Sequence, residues 1–196
     1  GKGLNGEGIV VGVGDNADVQ THIDFSGRLI NRAAAPVTSG HGHHVTGTVG
    51  GAGNGSELFR GYAPKSTIVS QSFNGIILNA PTYVNDYGMV LTNNSYGDNI
   101  ECDYYGIYDL YSRLLDQMAI DLPNLQNIFS AGNSGTNNCS PFLPTYHTVL
   151  GGYQSAKNVI TVGATTDSGA ISGFSSRGPV KDGRLKPEIV TMGQRV

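Results

Sequence analysis

Runs of lysine and arginine are missing from this sequence, and charge of any kind is scarce: 14% of the residues are charged and the net charge is −3. Nucleic acids and anionic membranes are bound through clustered positive charge, so neither is an expected partner. No stretch approaches the roughly 18 consecutive apolar residues of a membrane span, and residues 1–8 do not read as a signal sequence. Any targeting segment is expected to lie outside these residues. Cysteine is nearly absent as well: Cys102 and Cys139 permit at most one intramolecular disulfide, and two cysteines do not fix a compartment by number alone. Internal repeats, low-complexity segments and linkers are lacking too, which leaves a single domain over 1–196 as the expectation.

What the sequence does have is glycine, 29 among 196 residues, with 38% hydrophobic residues to build one core. So many glycines suit frequent tight turns between short elements better than a bundle of long helices. Short β-branched apolar runs at 8–13, 67–73, 89–93, 127–131 and 158–162 read as buried strands. Between them a helix is expected to start near His41, and a second over about 104–120. On that second helix Ile107, Leu110, Tyr111, Leu114, Leu115 and Met118 would form one face, Asp109 and Arg113 would sit four apart, and Pro123 follows its end. Strands alternating with helices imply the α/β class, a three-layer sandwich with a mainly parallel sheet covered on both faces.

In such sheets functional groups collect where strands run into the following loops. Asp15 is the first polar residue after the opening strand, in Val11-Gly12-Val13-Gly14-Asp15-Asn16-Ala17-Asp18. His41 stands at the mouth of a helix built from small residues, in Ser39-Gly40-His41-Gly42-His43-His44-Val45-Thr46-Gly47. Asn133 follows another buried strand, in Phe129-Ser130-Ala131-Gly132-Asn133-Ser134-Gly135. An acid, a histidine and an amide donor thus occupy loop positions of one predicted sheet.

Their order and local sequences resemble the subtilisin-like serine peptidases, in which the triad runs Asp, His, Ser along the chain. The resemblance covers nearly the whole sequence. Thr92-Asn93-Asn94-Ser95-Tyr96-Gly97 matches the family's substrate-binding strand, Asn158-Val159-Ile160-Thr161-Val162-Gly163-Ala164 a core strand, and Phe174-Ser175-Ser176-Arg177-Gly178-Pro179 with 182–190 the run before the nucleophile. The resemblance implies a serine endopeptidase acting on polypeptides, with His41 as general base, Asp15 orienting it and Asn133 donating to the oxyanion. It further implies Ser95, Tyr96 and Gly97 as an edge for an extended peptide, and Ala131 and Gly132 as walls of the primary side-chain pocket.

The sequence departs from the family in several places. Asn16 and Ala17 follow the acid where Ser or Thr and then Gly are usual; alanine replaces glycine easily only where φ is negative, so that is the expectation at Ala17. His43 replaces a usual Thr and would put a second imidazole beside the base. Thr191-Met192-Gly193 stands where Ala-Pro-Gly is usual. The Gly-Thr-Ser-Met-Ala segment that carries the nucleophile does not occur before Val196; Ser140 lies too close to the Asn133 loop to replace it. The expectation is therefore a domain incomplete at its carboxyl-terminal end, inactive alone, which could associate through surface exposed by the truncation.

Other readings of the same residues are less well supported. Gly12-x-Gly14-x-x-Ala17 after a strand mimics a dinucleotide fingerprint, but no helix pattern follows it and no acid stands roughly 20 residues on. His41, His43 and His44 are close in sequence, yet adjacent helical residues point apart and no nearby carboxylate or cysteine completes a set, so no metal site is expected. No cofactor is required for the chemistry, and structural calcium, frequent in the family, is assigned to no residue. The alternative function is a catalytically dead subtilisin-like binding module. Asp18 and Asp24 are read as turn caps, and Tyr104, Tyr105, Tyr108 and Tyr111 as packing. Cys102 follows the Ser95 strand and Cys139 the Asn133 strand; if those strands are neighbours, a disulfide is geometrically reasonable and fits a secreted or periplasmic setting.

Overall fold

The structure, a computed structural model, describes residues 3–98 and 101–194; the end of the chain at Val196 lies outside them. Two compact units make up the chain, 1–95 and 96–196.

In the first unit four parallel strands, β1 (Val10–Asp15), β2 (Leu29–Asn31), β3 (Thr67–Ser72) and β4 (Met89–Asn94), lie in the order β2-β3-β1-β4. Successive β1 side chains point to opposite faces, and the two faces are built differently. Val13 packs with Val19, Phe25 and Ile68, covered by Val45 and Val49. Those two valines lie one turn apart on helix α1 (His41–Gly50), which therefore covers that face. Gly12 and Gly14 point the other way. A Cβ on Gly12 would come within 2.5 Å of the Met89 sulfur, and one on Gly14 within 2.6 Å of Ile76. Ile76 belongs to the single-turn helix α2 (Gly75–Leu78), which α3 (Ala80–Tyr87) follows before the chain enters β4. Helices thus cover both faces of a parallel sheet, and the two glycines make room for close packing of Ile76 and Met89 against β1.

In the second unit α4 (Leu110–Asp121) precedes β5 (Gln126–Ser130) and β6 (Ile160–Thr165). The residue pair β7 (Gly178–Pro179) and β8 (Leu185–Lys186) forms a small antiparallel ladder, and β9 (Ile189–Met192) pairs parallel with β6. Phe129 is fully buried and stacks on Tyr153 at 5.2 Å. The Lys186 ammonium is buried as well. It donates to the Val159 carbonyl at 3.1 Å and pairs with Glu188 at 2.6 Å, while burial pulls its pKa down. Ile189, Val190 and Met192 of β9 are about half exposed.

Helix α4 starts six residues later than its apolar pattern suggests. Asp109 is the cause: it stays extended and its carboxylate accepts from the Tyr111 and Ser112 amides, while the Ser112 hydroxyl accepts from the Asp109 amide in return. Asp109 therefore caps the helix instead of pairing along it with Arg113. Upstream, Gly106 at φ +66° lies so close to Val180 that a Cβ would meet it at 2.7 Å, and 104–109 stay outside the helix. The buried face is then Ser112, Leu115 and Met118, and Leu110, expected on that face, is exposed. Elements β2, α2 and β9 have no counterpart in the sequence reading, because three or four residues are too few to show a period; the eight-residue α3 has none either.

Candidate active site

Asp15 closes β1 and is almost completely buried, while His41 is the first residue of α1 with its side chain 55% exposed. The imidazole Nδ1 lies 2.8 Å from Asp15 Oδ1. With the carboxylate as acceptor, Nδ1 is the donor, and in the neutral imidazole Nε2 then keeps its lone pair. The same carboxylate oxygen accepts the Asn16 amide at 2.9 Å. A cleft of about 610 Å³ opens over the pair, with Phe73, His44 and Ser95 among its lining residues. Ser95 follows β4 directly and receives a hydrogen bond from the Asn93 side chain at 3.1 Å. His44, which the sequence reading considers only as a metal ligand, reaches the cleft because it lies one helical turn from His41, a spacing the sequence does contain.

Two expectations about the flanking residues are corrected. Ala17 has φ +58°, not a negative value, although it is 98% shielded from solvent. This left-handed alanine stores roughly 1–2 kcal/mol of strain that glycine would not. His43 does not sit beside the base. It lies edge-on to Phe25 and His22 at 5.4 and 5.6 Å and accepts the Gln20 amide on Nδ1. Burial, with His22 adding to it, holds the His43 imidazole below its ordinary value near 6.5, against a smaller opposing pull from Asp18.

The remaining candidates belong to the second unit. The Tyr96 carbonyl accepts the Gln154 side-chain amide at 2.9 Å, and its ring stands edge-on to Phe129 and Tyr153. Gly97 has no room for a Cβ, which would lie 2.5 Å from Leu150. Ala131 is buried, and its amide continues β5 by donating to Val162. Gly132 adopts φ +111° with Leu150 and Ser176 against it. Asn133 is exposed at the tip. Its loop is held from behind by 173–177: Ser134 donates to the Ser176 hydroxyl at 2.9 Å, Gly132 accepts the Ser176 amide, and Arg177 donates to the Gly135 carbonyl at 3.1 Å. The Phe174-Ser175-Ser176-Arg177 run is thus the brace of the asparagine loop, a role with no signal in the sequence beyond its small polar residues. Cys139 is joined to Cys102 by a disulfide and packs with Tyr105 and Leu150. Among the described residues no group of three or more His, Cys, Asp or Glu side chains is arranged to hold a metal ion.

The profile of the Subtilase family matches residues 6–195. This chain belongs to the subtilase family. Among curated subtilase relatives, it is 28% identical to the alkaline proteinase of Hapsidospora chrysogena over 193 residues, 90% of this chain and 42% of that protein. To the serine protease AprX of Bacillus subtilis (strain 168) it is 26% identical over 227 residues, 100% of this chain and 48% of that protein. It therefore spans less than half the length of these two relatives. Among solved structures, the prenylagaramide maturation protease PagA matches with a TM-score of 0.69 and 23% identity over 96% of this chain and 64% of that one. The patellamide maturation protease PatA gives 0.65 and 20% over 97% and 67%. At those identities the likeness establishes the α/β subtilase fold and nothing finer.

Proposed function

We propose that this chain supplies the acid, the base and an oxyanion donor of a serine endopeptidase that hydrolyses extended polypeptides through an acyl-enzyme. The observation that carries the reading is the 2.8 Å contact between buried Asp15 and the exposed His41 ring at the floor of a cleft. A serine hydroxyl, assigned to sequence beyond these 196 residues, attacks the scissile carbonyl while His41 Nε2 takes its proton. Asp15 holds the imidazole in the tautomer that leaves Nε2 free, and stabilises the imidazolium once it forms. The Asn133 amide donates to the oxyanion of the tetrahedral intermediate. His41 then returns the proton to the leaving amine, and water repeats the cycle on the acyl-enzyme. Ser95, Tyr96 and Gly97 bind the peptide main chain, and Ala131 and Gly132 wall its primary side-chain pocket. The proposed chemistry uses no cofactor, and the Cys102–Cys139 bond fits a secreted or periplasmic enzyme.

The test extends the chain past residue 196 into its continuing sequence and treats it with a serine-directed fluorophosphonate. Labelling that disappears in His41→Ala is expected. A folded, extended protein that takes no label favours the catalytically dead binding module instead.

A further inference from the structure

Beyond the acid and the base themselves, we propose that Asn16 and Asp18 are positioning residues for His41: from the exit of β1 they cap, through space, the amino terminus of the helix that begins with it. The inference rests on the reading of His41 as the base. A helix leaves its first amide donors without partners inside the helix, and a side chain at the N-cap normally takes one of them. Here the N-cap is Gly40, which has no side chain to offer. Three successive amides find oxygen elsewhere. Gly40 donates to Asp18 Oδ2 at 2.8 Å, His41 to the Ser39 hydroxyl at 3.3 Å, and Gly42 to Asn16 Oδ1 at 3.0 Å. The Asn16 Nδ2 closes the network on the Ser39 oxygen at 2.7 Å.

The contacts place the base and its acid under one control. The Asn16 main-chain amide holds Asp15 Oδ1, the oxygen that faces His41 Nδ1, while the Asn16 side chain holds the helix that carries the ring. The helix lies directly on these groups: a Cβ on Gly42 would stand 2.6 Å from Asn16 Oδ1 and 2.7 Å from Asp18 Oδ1. Asp18 is fully buried, with its side-chain oxygens at the amino terminus of α1. Ala17, left-handed at φ +58°, lies between the two capping residues, whose side chains both meet the same helix end. A local cap from Ser39 alone would satisfy one amide and leave the helix free to shift along β1. The cross-strand cap fixes its position relative to Asp15, and a displacement near 1 Å between catalytic groups lowers turnover by as much as 100-fold.

The experiment uses the full-length protein labelled with 15N-histidine, in which the Nδ1 proton of His41 is read by NMR at low field. Asn16→Ala and Asp18→Ala are expected to broaden or abolish that signal while the remaining amide spectrum stays dispersed. Asp18→Asn, which keeps an oxygen facing the Gly40 amide, is expected to retain it. In peptide hydrolysis Asn16→Ala lowers kcat on the order of 10- to 100-fold with KM within about twofold. An unchanged His41 signal in folded Asn16→Ala overturns the proposal; because Asn16 is only partly buried, this variant decides the question if Asp18→Ala does not fold. The NMR signal needs no turnover, so a full-length protein that proves inactive defeats the peptidase reading and leaves the positioning role to be judged separately.

Discussion

Asp15 and Asn16 are adjacent, yet they hold different atoms of one helix: the first meets the His41 ring at 2.8 Å and the second the Gly42 amide at 3.0 Å. Two residues further into that helix, His43 is turned toward Phe25 and His22, where burial keeps its pKa below 6.5. The folded protein therefore binds this proton less well than the unfolded chain. Its contribution to stability is complete above the unfolded value and is lost as pH falls through the lower folded value. Melting temperature measured from pH 7.5 to 5 should decline for the wild type. In His43→Gln, which keeps an acceptor for the Gln20 amide, the decline should be shallower. Equal slopes would mean that His43 is protonated in the fold as easily as outside it.

Helices and strands in this protein are placed by a few residues whose role is geometric. Gly12 and Gly14 let α2 rest on β1, so Gly12→Ala should force Met89 or Ile76 aside and cost about 1–3 kcal/mol in urea denaturation. A smaller loss would show that the Met89 side chain can swing away. On α4, Asp109→Ala removes acceptors for two amides and should cost about 1 kcal/mol, with Asp109→Asn recovering most of it. If Asp109 acted mainly through charge on Arg113, raising salt would reproduce the loss; with capping as the cause, salt should have little effect. The apolar pattern of 104–120 showed that a helix was there. It could not show where the helix starts: Asp109 caps it there, and Gly106 upstream packs against Val180, over 70 residues away.

For the chain as a whole, the Cys102–Cys139 bond closes a segment 37 residues long that contains α4, β5 and the Asn133 loop. Cross-linking a loop of this length stabilises chiefly by restricting the unfolded chain, by roughly 3–4 kcal/mol. Cys102→Ser with Cys139→Ser should therefore lower the melting temperature of the second unit, and dithiothreitol should do the same to the wild type but leave the double variant unchanged. A melt insensitive to reductant would place the stability of this unit in its Phe129–Tyr153 packing instead.

Membership of the subtilase family and the α/β class was legible in the linear pattern, because short apolar runs, glycine turns and the acid and histidine segments keep their order along the chain. The pattern placed Asp15 and His41 each beside an element, and the family resemblance implied that they pair. Folding alone decided the left-handed backbone of Ala17, the turning of His43 onto Phe25, and the bracing of Gly132 and Ser134 by Ser176. Each depends on partners distant in sequence: Ala17 O meets the Ala35 amide, His43 meets Gln20, and Ser176 meets a loop about 40 residues earlier. Local sequence records which residues prefer a strand, a turn or a helix end, but hydrogen bonds and close packing across such separations form only when the elements meet, and those contacts set the orientation of each side chain.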